Sequence, residues 1–176
     1  MKRTSILAAV VFLSAFTFVG QAQNTSAMQT KNSKENSDKG PVTNIAIGNA
    51  AYAQKVIQVW KDYDNNNLDN FGDLLADDVI ATFPDGSMVK GKDNFVKMIK
   101  DWRNNFSSVS SKIAACTTLK TPDDPEHEVV TIWGEEADTG KDGTITKTHL
   151  NEVWFFNKEG KVTEFHQLAA KDTANK

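Results

Sequence analysis

After Asn105 the apolar residues of this chain change their spacing, and that change limits the folds open to it. Before this point apolar side chains recur every three or four residues; beyond it they alternate with polar ones. The first half therefore reads as helices and the second as strands. Asn49 is placed to cap a helix whose buried stripe is Ala53, Val56, Ile57, Trp60 and Tyr63. Asp64 to Asn67 interrupts it, because short polar side chains compete for backbone hydrogen bonds. Asn67 is expected to cap a second, shorter helix that turns Leu68, Phe71, Leu74 and Leu75 inward, with Asp77 and Asp78 solvated at its end. Val79 to Phe83 reads as a short strand and Asp85-Gly86 as a tight turn, with Ser87 to Lys90 returning as a second strand that carries Met88. Gly91 opens a third helix, with Phe95, Met98, Ile99, Trp102 and Phe106 on one face.

In the second half, Val109, Ser111, Ile113, Ala115, Thr117 and Leu119 share one parity, so they are expected on the buried face of a strand. Pro122 and Pro125 mark a loop. Glu126 to Ala137 reads as a strand and Asp138 to Gly143 as a turn rich in Gly and Asp. Thr144 to Phe156 is expected to be the longest strand; Lys158-Glu159-Gly160 turns it back into Val162 to Ala170. Helices followed by an antiparallel meander specify the α+β class, with the helices laid against one face of a curved sheet.

Ahead of that domain, Lys2 and Arg3 precede an uncharged apolar run from Ile6 to Val19, and Gly20-Gln21-Ala22 supplies small residues for cleavage. This is the layout of an export signal over 1–22, so the chain is expected in the periplasm or outside the cell. Residues 23–42 are almost free of apolar side chains and read as a disordered tether, with the domain at 43–171 and a tail at 172–176. Without Lys2 and Arg3, 18 basic residues face 23 acidic ones, a formal charge of −5. With no basic stripe either, nucleic acid is not an expected partner, nor is a membrane once the signal is removed. The single cysteine, Cys116, excludes an intramolecular disulfide and reads as a small core filler. No metal site is expected: His127, His149 and His166 have no spacing that converges three ligands.

The segments LADDVIATFPDGS, GKDNFVKMIKDW and HLNEVWFFNKEGKVTEFHQLA, in this order, resemble the nuclear transport factor 2-like superfamily. The likeness is to its SnoaL-like (polyketide cyclase) branch and to ketosteroid isomerases, and it spans roughly Ala50 to Ala170. It implies a cone, in which a strongly curved antiparallel sheet wraps around three helices and leaves an apolar pocket. Members often form homodimers through the outer sheet face. Laid on this chain, the isomerase pattern puts its general base on Phe83, its oxyanion-binding tyrosine on Val59 and its second oxyanion donor on Glu152. Phenylalanine cannot remove a proton, so isomerase activity of that kind is rejected.

Leu150, Glu152, Trp154 and Phe156 share one strand face, and the resemblance turns that face inward. A carboxylate there loses solvation and becomes a candidate acid or base. The alternative is a glutamate paired with a lysine or wetted at the pocket mouth. Val56, Val59, Trp60, Tyr63, Phe83, Met88, Trp102, Trp154, Phe165 and Gln167 are the expected pocket residues, although the aromatic ones are also what a core of this size needs. The expected function is a cofactor-free module that holds a small hydrophobic molecule without established catalysis. The alternative is an isomerase, cyclase or lyase using Glu152 as acid or base, with Gln167 or Tyr63 orienting the substrate.

Overall fold

The computed structural model describes residues 44–121 and 124–171. The expected signal at 1–22, tether at 23–42 and tail at 172–176 lie outside the described residues, as do Pro122 and Asp123 of the expected loop.

Helix α1 (Ala50–Asp64) begins where the sequence places it: the Asn49 side chain accepts from the Ala51 N–H at 3.0 Å. Asn49 N in turn donates to Glu128 Oε2 at 2.6 Å, which ties the helix start to the sheet. At the other end a residue from the next helix does the capping. Arg103 Nε donates to Tyr63 O at 2.7 Å and Nη2 to Asp64 O at 3.0 Å, satisfying carbonyls that the helix itself leaves open. That second helix, α2 (Lys92–Arg103), starts from Gly91, whose φ of 85° is a conformation that glycine adopts without strain.

Among the described residues two α-helices stand where three were expected. The segment after Asn67 forms only a 3-10 turn, Phe71–Leu74, with no side-chain cap, and the chain extends at once into β2 (Leu75–Thr82). Asp77 and Asp78 are exposed, but within this strand rather than at a helix end. The helical stripe Leu68, Phe71, Leu75 is buried all the same, because a tight turn followed by a strand can present those same residues to one core.

The remaining strands are β1 (Ala46–Ile47), β3 (Met88–Lys90), β4 (Phe106–Thr121), β5 (Asp124–Gly140), β6 (Ile145–Phe156) and β7 (Val162–Lys171). They form one curved sheet in the order β1-β4-β5-β6-β7-β2-β3. The sheet is mixed rather than antiparallel throughout, since β2 runs parallel to β7. The longest strand is β5, with 17 residues against 12 for β6. It continues through Asp138 and Thr139 to Gly140, where a turn was expected, because Asp138 and Thr139 find partners on both β4 and β6 and Gly140 pairs with Phe106 of β4.

Bulges bend the long strands. One falls between Ile113 and Ala115 of β4, where Ala114 is an extra residue opposite β5. It reverses the parity of the strand: Val109 is buried before it, whereas Ala115 is exposed and Cys116 and Thr118 face inward after it. A single alternation from Val109 to Leu119 is therefore broken at its midpoint.

Helices and sheet close on one core. Phe95 of α2 is fully buried, with its ring centroid 5.3 Å from both Phe71 and Phe165, and Trp154 lies 4.6 Å from Phe165. Val56, Val79, Val130, Ile132, Phe156 and Val162 complete the apolar interior. Phe95→Ala is expected to cost about 3–5 kcal/mol, since it deletes a ring in contact with three others. Urea unfolding monitored by far-ultraviolet circular dichroism measures it, and a loss below about 1 kcal/mol would place Phe95 outside the core.

Candidate functional site

On β6 the inward parity is Leu150, Glu152, Trp154 and Phe156, and all four are buried, with Glu152 only 6% exposed. Glu152 is neither paired with a lysine nor wetted. Oε2 accepts from the indole N–H of Trp60 on α1 at 2.7 Å and from that of Trp154 at 3.1 Å; Oε1 accepts from the Gln167 side-chain amide on β7 at 3.0 Å. Burial pushes the carboxyl above its ordinary range, and all three hydrogen bonds oppose that by stabilising the ionised form. All three partners are donors, which makes this group an acceptor by construction.

Gly134 on β5 explains how Trp60 reaches the acid. A Cβ added there would lie 2.6 Å from Trp60 Cζ3 and 2.8 Å from the carbonyl oxygen of Lys112. The indole therefore lies flush against bare backbone, and its N–H projects onto Glu152.

The inward parity of β5 continues past Gly134 to Glu136 and Asp138, which belong to this site and are absent from the residues the sequence singled out. Asp138 was assigned to a turn. Read instead as strand, the two-residue rhythm of Val130, Ile132 and Gly134 leads directly to these acids. Asp138 is 7% exposed and, among the described residues, its Oδ1 has no hydrogen-bond donor, while Glu136 is partly open to solvent. Burial, and then the charge of Asp138, push the Glu136 pKa from 4.5 up to about 8. Burial also raises Asp138. Tyr63 faces the same pair from α1; burial, followed by the charges of Glu136 and Asp138, lifts its phenol far above the ordinary value, so it remains a hydrogen-bond donor.

The other expected pocket residues divide. Val56, Trp60, Trp154 and Phe165 are buried, and Tyr63 and Gln167 are partly buried beside the acids. Phe83 is partly buried and packs on Phe95 and Phe165, at 6.1 and 5.9 Å. Val59 lines an outer groove of about 270 Å³ between α1 and the 3-10 turn, and a groove of about 610 Å³ runs between that turn and α2; Glu152 lines neither. Met88 and Trp102 are corrections, at 56% and 55% exposed. Met88 sits on the edge strand β3, and Trp102 stacks edge-on against Phe106 outside the core. The inward position at the end of α2 belongs instead to Arg103, whose guanidinium is needed at the α1 terminus.

Cys116 donates weakly to Ala53 O at 3.7 Å, and burial pushes its thiol up to about 11, so it is not a nucleophile at neutral pH. His149 is exposed, His127 pairs with Asp124 and His166 with Glu164; none reaches Glu152.

The family model described as the SnoaL-like domain matches residues 54–165. No curated protein matches the chain. Among solved structures, a Novosphingobium aromaticivorans protein provisionally described as a scytalone dehydratase is 12% identical, with a TM-score of 0.60 over 69% of this chain and 83% of its own. An epoxide hydrolase of the LEH-like type from M. tuberculosis is 13% identical, with a TM-score of 0.54 over 68% and 84%. A protein of ketosteroid isomerase-like fold from Catenulispora acidiphila, solved with trimethylamine, is 16% identical, with a TM-score of 0.52 over 64% and 83%. At these identities the likeness establishes the fold.

Glu152→Gln replaces one acceptor oxygen with an amide that confronts N–H donors, and it should destabilise the protein by about 1–3 kcal/mol. Chemical unfolding with tryptophan fluorescence reads both the loss and the altered surroundings of Trp60 and Trp154. An unchanged midpoint and spectrum would show that the indoles do not depend on this carboxylate.

Proposed function

The chain belongs to the SnoaL-like domain family, and from that premise we propose that it holds a small, largely apolar molecule against the concave face of its sheet, without catalysis by Glu152. In this reading the sheet closes as a cone around α1 and α2, and its mouth admits the ligand. The observation that carries it is the Glu152 centre. A buried carboxylate surrounded by neutral donors stabilises a fold less than a well-packed leucine at the same place, so its presence points to a demand other than stability. With both oxygens already accepting, the acid fixes two indoles in place, and a rigid aromatic wall suits a flat or greasy ligand. The relatives described as a hydrolase and a dehydratase lend support to a small-molecule role.

A second reading, a cofactor-free isomerase, cyclase or lyase, draws on Glu136 rather than Glu152. Its carboxyl is partly open to solvent, and burial pushes its pKa up to about 8, toward the range in which a general acid or base works best.

We further propose export, from the N-terminal pattern, and a homodimer through the outer sheet face. Trp133 of β5 pairs in register with Asn151 of β6, which pairs with Leu168 of β7, so two exposed apolar side chains flank one polar residue across three strands. Native mass spectrometry of the protein from its own host tests these readings together. The expected species is a dimer whose chains begin at Gln23 and which carries a small molecule released on unfolding. Ligand-free protein that also fails to bind planar apolar probes overturns the pocket. Trp133→Glu with Leu168→Glu should give a folded monomer by light scattering; a persistent dimer would move the interface elsewhere.

A further inference from the structure

The two outer grooves flank the 3-10 turn and treat their charges differently. The larger, between the turn and α2, is lined by three lysines, and each is spent on an aspartate: Lys92 on Asp77, Lys97 on Asp101 and Lys100 on Asp69. The smaller, of about 270 Å³ between the turn and α1, is lined by Lys55, Asp62 and Asp73. Among the described residues none of these three forms an ion pair.

Between those charges the groove is apolar. Lys55, Val59 and Asp62 are four and three residues apart, so one face of α1 forms one wall. Leu68, Phe71 and Leu74 stand on the other. Both walls are fixed by the chain itself. At one end the backbone reverses at Asn66, with a φ of 53°, and the Asn67 N–H donates to Asp62 O at 2.8 Å; Asp62 Oδ1 accepts from Gln58 Nε2 at 2.9 Å. At the other end both walls attach to the turn between β6 and β7. Lys55 Nζ donates to Gly160 O at 3.4 Å, and Lys161 Nζ donates to Asp73 O. Lys55 and Asp73 therefore share this end. Lys55 Nζ also lies 5.3 Å from the centroid of the Tyr52 ring, which is itself stacked on Phe156 at 4.6 Å. An ammonium has three donors, and the Gly160 carbonyl takes one of them.

A cation and an anion at one end of a small apolar groove match a molecule with opposite charges close together and an apolar group beside them. We propose that this groove binds a free α-amino acid with an apolar side chain, its carboxylate on Lys55, its ammonium on Asp73 and its side chain along Val59, Phe71 and Leu74. The volume of about 270 Å³ falls just below that of ordinary ligand clefts, about 300–1,000 Å³, which suits an occupant of this size. Glu152 does not line this groove, so the site is separate from the concave face and stands or falls independently of it.

Nitrogen-15 NMR of the full chain, titrated with L-leucine, tests the assignment. Saturable shifts are expected at the backbone amides of 55–62 and 67–74, in the millimolar range because exposed charges each contribute little. L-leucinamide lacks the carboxylate and N-acetyl-L-leucine lacks the ammonium, so each should bind about three- to tenfold more weakly than leucine. Lys55→Gln should weaken leucine by a similar factor and leave leucinamide unchanged, whereas Asp73→Asn should weaken leucine and leave N-acetyl-L-leucine unchanged. Both residues are exposed, so neither substitution disturbs the core. No saturable shift up to about 20 mM leucine overturns the site. Shifts centred on Trp154 and Gln167 would overturn the outer groove and transfer the ligand to the concave face. Equal affinity for leucine and its two blocked forms overturns the reading of charge, and with it the amino-acid assignment.

Discussion

The interior of this protein depends on one acceptor and three donors. Glu152 brings α1, β6 and β7 to a common point: one indole N–H arrives from the helix, one from its own strand and an amide from the next. Each bond is charge-assisted while the carboxylate is ionised, which makes it stronger than a neutral pair. Burial works in the opposite direction, and without the donors the charge could not persist there. Because three elements meet at these two oxygens, the crossing of α1 over the sheet is set by more than apolar contact. Gly134 is the steric counterpart, since any side chain at that position would hold Trp60 off the strand.

The features that could be read from the sequence were those set by local chemistry and uninterrupted rhythm. The Asn49 cap and the α1 stripe follow from spacing, as does the shared face of Leu150, Glu152, Trp154 and Phe156, whose inward turn the resemblance implied; each stands as expected. What could not be read was set by partners distant in the chain. Asp138, Thr139 and Gly140 have the composition of a turn but the pairing of a strand, because β4 and β6 on either side supply hydrogen bonds that outweigh local preference. The bulge at Ala114 inverted the second half of β4, and nothing in an Ala-Ala-Cys run announces an extra residue. Trp102 and Arg103 exchanged roles for a similar reason. The open carbonyls of α1 needed a long cation, and hydropathy does not register a need created by another helix.

The consequence for the site is a displacement of its chemistry. The resemblance to isomerases directs attention to the positions of Phe83, Val59 and Glu152. Phe83 packs into the ring cluster with Phe95 and Phe165, and Val59 faces an outer groove, so both have become parts of packing. Glu152 retains an acid, but one oriented as an acceptor, whereas an oxyanion needs a donor. In the arrangement observed, the three hydrogen-bonding neighbours of Glu152 all present N–H groups to it. Along β5 the relation is reversed: an acceptor without a donor stands beside a carboxyl that burial has made reluctant to ionise. Strand alternation carries the concave face from Gly134, where backbone must be bare to seat an indole, to Glu136, where a side chain must reach inward. The same two-residue step that seats the Trp60 indole on Gly134 thus carries the strand on to its buried acids.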